Sequence, residues 1–153
     1  MRLFNTFVLV FASIGLLVLW GVFLAYYGRL PGIIPTHFGI NGSPNGWGAK
    51  STLLLFPLLG LAAYAMAIVF HYMVFPVRRR MAPIVQSLVF LELSELVWFW
   101  LILQWETIRA ALGYAQGLDS GFNILFAIIT ATAAAIVVAA IATRSWDAQQ
   151  RLE

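Results

Sequence analysis

Residues 3–27 read LFNTFVLVFASIGLLVLWGVFLAYY, an unbroken stretch without a charged side chain. The hydrocarbon core of a bilayer is ~30 Å thick, and about 20 apolar residues in helical conformation cross it. This stretch is therefore long enough to span a membrane. It is also roughly twice as long as the apolar region of a secretory signal peptide, so we interpret it as an uncleaved first span.

Three further predominantly apolar stretches of sufficient length follow, at 52–77, 83–112 and 122–143, and of these only 83–112 contains charged residues. The chain of 153 residues is 62% hydrophobic and only 10% charged, whereas about half the residues of a soluble domain are apolar. We expect a single all-α membrane domain over 1–153, with four transmembrane helices in an antiparallel bundle and a structured loop at 28–51. Residues typical of helix N-termini open several of these spans: Ser51, Thr52, Pro83, Asp119 and Ser120.

The basic residues predict how the spans are oriented. Short cytoplasmic loops of membrane proteins carry an excess of lysine and arginine. One side of the bundle would hold Arg2, Arg78, Arg79, Arg80, Arg144 and Arg151, and the other Arg29, Lys50 and Arg109. The count of six basic residues against three predicts that both termini lie in the cytoplasm and the 28–51 loop outside.

Composition also excludes several classes of protein. The chain has no cysteine, which excludes disulfide frameworks and thiolate metal sites. Its one basic run, at 78–80, lies between two apolar stretches rather than on a polar face of the kind that binds nucleic acid. The predicted partner is therefore the lipid bilayer and not nucleic acid, and neither a cofactor nor a metal is expected.

The fourth span carries small residues at every fourth position, a spacing that lets a second helix approach closely. They are Ala127, Ala131, Ala135, Ala139 and Thr143. Contact within the bundle is the favoured interpretation, and a seam between two copies of the chain is the alternative.

The loop at 28–51 contains many turn-forming residues. Prolines fix φ and glycines permit conformations closed to other residues. Apolar side chains such as Ile34, Phe38 and Trp47 are not typical of a disordered loop. We expect a folded cap resting on the helix ends.

Several uncommon residue types occur together in this loop at set spacings. They are Leu30-Pro31, Ile34-Pro35-Thr36-His37-Phe38, Gly42-Ser43-Pro44 and Trp47-Gly48-Ala49-Lys50. The pattern resembles a small bacterial membrane domain of unknown function that also forms the N-terminal part of SdpI-type immunity proteins. Gly32 and Asn45 depart from it, since acidic residues are expected there. The resemblance implies a location in a bacterial inner membrane and a signalling or immunity association. The structural or partner-binding motif would consist of Pro31, Pro35, His37, Phe38, Gly42, Trp47 and Lys50.

His37 is the most reactive group of this motif. Its ring can bond the loop backbone, titrate near neutral pH or bind a metal. Because the loop offers no Asp, Glu, Cys or second His to complete a metal site, a hydrogen bond within the loop is the favoured interpretation.

The third span contains carboxylates in a stretch otherwise apolar enough to cross a membrane. At 100° per residue, Glu92, Glu95 and Glu106 fall on one stripe, and His71 of the second span lies at a similar depth. Ionisable side chains inside a membrane commonly serve function. His71, Glu92, Glu95 and Glu106 therefore form a candidate polar cluster for a proton relay, a metal or a cationic substrate, with simple packing as the alternative.

Two functions follow from these features, and neither is enzymatic, because no nucleophile stands beside an oriented base. The first is an accessory, regulatory or immunity-like membrane protein whose cap binds a peptide, another membrane protein or the outer leaflet. The alternative is a small proton-coupled or cation transporter that uses the glutamates of the third span.

Overall fold

The computed structural model describes residues 2–74 and 83–149. It contains four long helices: α1 (Arg2–Tyr26), α2 (Leu55–Val69), α3 (Pro83–Ala111) and α4 (Ser120–Gln149). With the short turns that adjoin them, all four are long and apolar enough to cross a membrane. The expected four-helix membrane bundle is confirmed.

The helix starts agree with the sequence in two of three cases. Pro83 is the first residue of α3. Asp119 caps α4, because its Oδ1 accepts the backbone N–H of Gly121 at 2.8 Å. Ser51 and Thr52 do not cap α2: they lie in a 3-10 helix, Lys50–Leu54, that runs directly into it without a side-chain cap. That prediction was wrong.

The far end of the second span differs from the prediction. A turn of π-helix, Phe70–Val74, follows α2. Residues 75–77, Arg78, Arg79, Arg80 and Arg151 lie outside the described residues, so the basic side of the bundle is described only in part.

Helix α3 is the centre of the bundle. It packs against α1, α2 and α4, and its Phe90, Val97 and Ile108 are fully or almost fully buried. The span with the most polar residues is thus the one with the most protein neighbours, as expected where polar side chains must avoid lipid.

Helix α4 is peripheral. It packs chiefly on α3, and none of the most apolar part of its span is buried. Ala127, Ala131 and Ala135 are exposed, while Ala139 is partly buried. The expectation that the small-residue stripe packs within the bundle was wrong for the three exposed alanines; the seam between two copies stays a prediction.

The loop between α1 and α2 folds into a β-hairpin. Strands β1 (Ile33–Phe38) and β2 (Pro44–Ala49) pair antiparallel. We call residues 33–49 the cap hairpin. The sequence indicated an ordered loop but not strands, because prolines and glycines are unfavourable in strand interiors.

Candidate functional site

The cap hairpin is built around close contacts that only small residues allow. In the turn, Gly42 has a φ of +79°, a conformation that glycine adopts without steric cost. Across the strands Gly46 stands opposite His37, and a Cβ on Gly46 would lie 2.9 Å from the Cβ of His37. The glycines of the motif therefore set the backbone separation and hold His37 in place.

One buried side chain anchors the cap hairpin to the bundle. Ile34 is 1% exposed and packs with Phe23 of α1, Leu53 and Ile108 of α3. Fully burying a side chain of this size stabilises a fold by about 1.5–3 kcal/mol. The hairpin is consequently part of the core rather than an appendage.

Lys50 fastens the hairpin to the end of α1. Its Nζ lies 3.5 Å from the carbonyl oxygen of Tyr27 and 4.9 Å from the centre of the Tyr27 ring. Its backbone N–H donates to Gly32 at 2.9 Å. Lys50 thus connects the base of the cap hairpin to the end of the first helix.

His37 is engaged within the hairpin. Its Nδ1 is hydrogen-bonded to Oδ1 of Asn45. Asn45 stands at a position where the sequence pattern suggested an acid, and its amide oxygen supplies the partner instead. Trp47, in contrast, is 61% exposed and lies on the surface of the hairpin together with exposed Ile33 and Ile40.

A second loop, between α3 and α4, packs on the turn of the hairpin. The backbone N–H of Leu118 donates to the carbonyl oxygen of Gly42 at 2.9 Å. Gly117 lies so close to Gly42 that an added Cβ would overlap its carbonyl oxygen. The sequence did not indicate this contact, because both partners are glycine-rich turns without a distinctive spacing.

An ion network lies beside that loop. Arg109 donates to Glu106 at 2.9 Å and to Asp119 at 3.2 Å. Burial alone would raise the pKa of Asp119, but the backbone N–H groups of Phe122 and Gly121 and the Arg109 guanidinium outweigh it and lower that pKa below its ordinary value. The network joins the end of α3 to the start of α4.

A cavity of about 440 Å³ opens between the cap hairpin and the helix ends. We call it the cap cavity. Its hairpin wall runs from Thr36 to Gly42, and its other walls are Phe56 of α2, Leu103 of α3, Leu118, and Phe122, Asn123 and Phe126 of α4. Pockets of 300–1,000 Å³ with apolar walls and few polar groups are typical of ligand sites.

Some residues of the motif hold the cap hairpin in place, and others line the cap cavity. Pro35 is buried and Lys50 anchors the hairpin, whereas His37, Phe38 and Gly42 line the cap cavity. Pro31 and Trp47 do not line it. The bundle supplies the rest of the walls, and the sequence motif gave no indication of those residues.

The glutamates of α3 have different surroundings. Glu106 is 2% exposed and paired with Arg109. Glu95 accepts a hydrogen bond from the Thr132 hydroxyl of α4 at 3.4 Å. The Oε2 atoms of Glu92, Glu95 and Glu106 are each buried without a hydrogen-bond partner among the described residues.

His71 does not join the glutamates in a metal site. Its ring packs against Phe90 at 5.1 Å and Tyr72 at 4.7 Å between centroids, and its Nδ1 has no described partner. Within residues 2–74 and 83–149, no three His, Asp or Glu side chains are grouped to hold a metal ion.

Sequence reasoning missed two polar contacts between helices. The fully buried Gln104 donates to the carbonyl oxygen of Leu19 at 3.0 Å, and the hydroxyls of Ser13 and Tyr64 lie 2.7 Å apart. Gln104 lies on the opposite side of α3 from the glutamate stripe, so a search for one polar face passes over it.

A comparison with known protein families matches the part of the chain that contains the cap hairpin. The family profile of a domain of unknown function, DUF1648, matches residues 14–61, from the middle of α1 to the start of α2. An uncharacterized protein of Archaeoglobus fulgidus is 36% identical over 56 residues, which cover 37% of this chain and 31% of that relative. No solved structure matches.

Proposed function

We propose that this chain is a non-enzymatic binding protein of the bacterial inner membrane, whose cap cavity takes up the apolar side chains of a peptide ligand. The observation that carries the proposal is the cap cavity itself, which is walled on one side by the hairpin and on the other by the ends of three helices. A regulatory or immunity-like role follows when the bound peptide is a signal or a toxin.

The chemistry of the walls favours a peptide. Phe56, Phe122 and Phe126 provide apolar surface, and the Asn123 amide at the rim can both donate to and accept from a peptide group. Peptide-recognition sites commonly combine apolar pockets with hydrogen bonds to the main chain.

The same walls do not favour catalysis. Among the described residues that line the cap cavity there is no carboxylate, lysine, serine or cysteine. His37, the one titratable side chain of the lining, is bonded to the neutral amide of Asn45 rather than to a nucleophile or an acid. A general base needs a reacting partner within hydrogen-bond reach.

A defined selection tests peptide binding. A displayed library of short random peptides would be selected against the protein in lipid nanodiscs. Phe126→Ala, which removes a wall, should weaken the selected peptides at least about tenfold, a loss of ~1.4 kcal/mol. Ile124→Ala, an exposed neighbour outside the cavity, is the matched control. Equal affinity for the two variants would refute the proposal.

Placement of the hairpin outside the cell has its own test. Because the chain has no native cysteine, Ile40→Cys introduces a single thiol at a fully exposed hairpin position. In intact cells a membrane-impermeant maleimide should label it without lysis. Labelling only after lysis would place the hairpin in the cytoplasm.

A second candidate is a proton-coupled carrier, favoured by the unpartnered oxygens of Glu92 and Glu95 in the membrane-crossing part of α3. In proteoliposomes a pH gradient would then drive flux that Glu95→Gln abolishes. Flux that persists in this variant would exclude Glu95 as the proton carrier.

A further inference from the structure

A groove of about 360 Å³ lies within the membrane-crossing part of the bundle, between α1 and α3. Its walls are Val18 and Val22 of α1 and Leu101, Ile102 and Trp105 of α3. We call it the α1–α3 groove. It is separate from the cap cavity and shares no lining residue with it.

The α1–α3 groove is an apolar recess that opens toward lipid. Leu101 is 8% exposed, whereas Val18 and Trp105 are 42% and 38% exposed. No charged side chain lines the groove, and the indole N–H of Trp105 is the one polar side-chain group of its walls. Hydrocarbon is the material that such walls accept, because a polar ligand would lose its hydrogen bonds to water there.

A chain of aromatic contacts joins this groove to a cation. Trp105 packs edge-on against Tyr26, with the ring centroids 5.5 Å apart. The guanidinium carbon of Arg29 lies 5.7 Å from the centre of the Tyr26 ring. Tyrosine and tryptophan are enriched where the hydrocarbon core meets the lipid headgroups, and Arg29 is the last residue of the first membrane-crossing span. Arg29 therefore lies at headgroup level, at the end of the groove.

The groove also has the depth of one leaflet. Val22 and Val18 lie one and two helical turns from Tyr26 toward the membrane centre. At 1.5 Å per residue, Val18 is about 12 Å deeper than Tyr26. Half of the hydrocarbon core measures ~15 Å. An acyl chain that starts at headgroup level can therefore follow the groove through most of a leaflet.

Arg29 differs from the other arginine near this end of the bundle. Arg109 binds Glu106 and Asp119, whereas Arg29 is exposed and has no acidic partner among the described residues. A guanidinium binds a phosphate through two parallel N–H···O bonds. A phospholipid carries a phosphate above an acyl chain, in the same order as Arg29 and the apolar recess.

We propose that the α1–α3 groove holds one molecule of an anionic phospholipid, with its phosphate at Arg29 and one acyl chain along Val18 and Val22. Basic sites between transmembrane helices recognise anionic headgroups. A zwitterionic lipid fits less well, because its own ammonium group lies beside the phosphate. The site requires neither peptide binding at the cap cavity nor a particular orientation of the chain in the membrane.

Phosphatidylglycerol is the probe for the first test, titrated into the protein in a zwitterionic detergent, with retained lipid counted by native mass spectrometry. One lipid per chain is expected, and phosphatidylcholine should bind at least about fivefold more weakly. Arg29→Gln should weaken phosphatidylglycerol at least about tenfold, because it removes charge-assisted hydrogen bonds. Lys50→Gln is the matched control: it removes the same charge, but Lys50 lies on Tyr27 rather than Tyr26, and the loss should not exceed about fivefold.

Three results of this titration would each overturn the proposal: no retained phosphatidylglycerol, equal affinity for the two lipids, or equal losses in Arg29→Gln and Lys50→Gln. A dimer without retained lipid would also overturn it, because a second copy of the chain would then fill the groove.

The acyl-chain part of the site has its own variant. Val18→Phe places a larger side chain in the groove and should weaken phosphatidylglycerol at least about threefold, roughly the effect of one buried methylene group. Leu17→Phe changes a residue that is 74% exposed and does not line the groove, and should bind as the parent does. Equal affinity of the two variants would contradict an acyl chain in this groove.

A second readout uses the unmutated protein and does not depend on how the variants fold. Phosphatidylglycerol with a diazirine in one acyl chain is incorporated into nanodiscs and irradiated, and mass spectrometry locates the label. Val22 and Ile102 of the groove should carry the label, and excess phosphatidylglycerol should suppress it more than excess phosphatidylcholine does. Labelling spread equally over the groove and the exposed Leu17 and Leu24 would contradict a specific lipid site.

Discussion

The carboxylates in the two halves of α3 differ in their ion-pair partners. Near the cap hairpin, Glu106 is paired with Arg109, which also binds Asp119. Toward the other end, Glu92 and Glu95 have no ion pair among the described residues. All three glutamates have a buried Oε2 without a hydrogen-bond partner there, so the ion pair is what distinguishes Glu106. A buried charge is costly unless it is paired. The ion pair gives Glu106 a structural contact, whereas Glu92 and Glu95, which have no counterion among the described residues, are the candidates for the proton carrier proposed above.

The end of the bundle near the cap hairpin is also held by buried apolar packing around Ile34. The largest expected effect tests this packing. Ile34→Ala should lower the free energy of unfolding by about 2–5 kcal/mol, because it removes a fully buried side chain and leaves a cavity. Chemical denaturation in mixed micelles measures this.

Ile33→Ala is the matched control. Ile33, the neighbour of Ile34 in the strand, is 64% exposed, so its truncation should change stability by less than about 0.5 kcal/mol. Equal effects of the two changes would mean that the hairpin is not anchored through Ile34.

The next largest loss of stability is expected at the contact between the hairpin turn and the loop before α4. Gly117→Ala places a methyl group against the Gly42 carbonyl oxygen, and overpacking of this kind costs about 1–3 kcal/mol. Thermal unfolding followed by circular dichroism should show a lowered Tm. Gly32→Ala, where nothing lies within 4 Å of the added Cβ, should behave like the parent; a normal Tm for Gly117→Ala would show that this loop does not pack on the turn.

The cap of α4 is expected to contribute less. Asp119→Ala should cost about 0.5–2 kcal/mol, the usual range for an N-cap. Since the pKa of Asp119 is lowered in the folded protein, its contribution is complete above its ordinary pKa of about 3.9. It is lost as the pH falls through the lower folded value.

Asp119→Asn keeps a side chain that can cap but removes the charge. Measured by acid titration of stability, this variant should lack the part of the pH dependence that Asp119 causes. An identical acid profile in Asp119→Asn and the parent would show that Asp119 does not contribute through its charge.

The sequence predicted the parts of the fold that follow from composition. Apolar stretches of sufficient length locate all four helices, because only a helix satisfies its own backbone within a membrane. The 100° periodicity also placed the glutamates on one side of α3. The strands escaped prediction since Pro35, Gly46 and Gly48 disfavour them locally, and it is the pairing of the two strands that makes them stable.

The position of α4 and the walls of the cap cavity depend on tertiary packing, which the sequence pattern does not predict. The apolar pattern of α4 is the same whether it lies inside or outside the bundle, so the exposure of Ala127, Ala131 and Ala135 was not predictable. The cap cavity joins residues that lie far apart in sequence, such as Phe38 and Phe126. The motif indicated the hairpin side of the cap cavity, but none of the residues that three helices contribute to it.

The most direct test of the contrast within α3 is the free energy of unfolding of Glu95→Gln beside that of Glu106→Gln, measured in the same micelles. Glu106→Gln removes a charge-assisted hydrogen bond to Arg109 and should destabilise the protein by about 1.5–3 kcal/mol. Glu95→Gln should leave stability unchanged or raise it, because the fold supplies no counterion that the substitution would strand. A loss in Glu95→Gln as large as that in Glu106→Gln would show that Glu95 serves the structure, and would contradict the account.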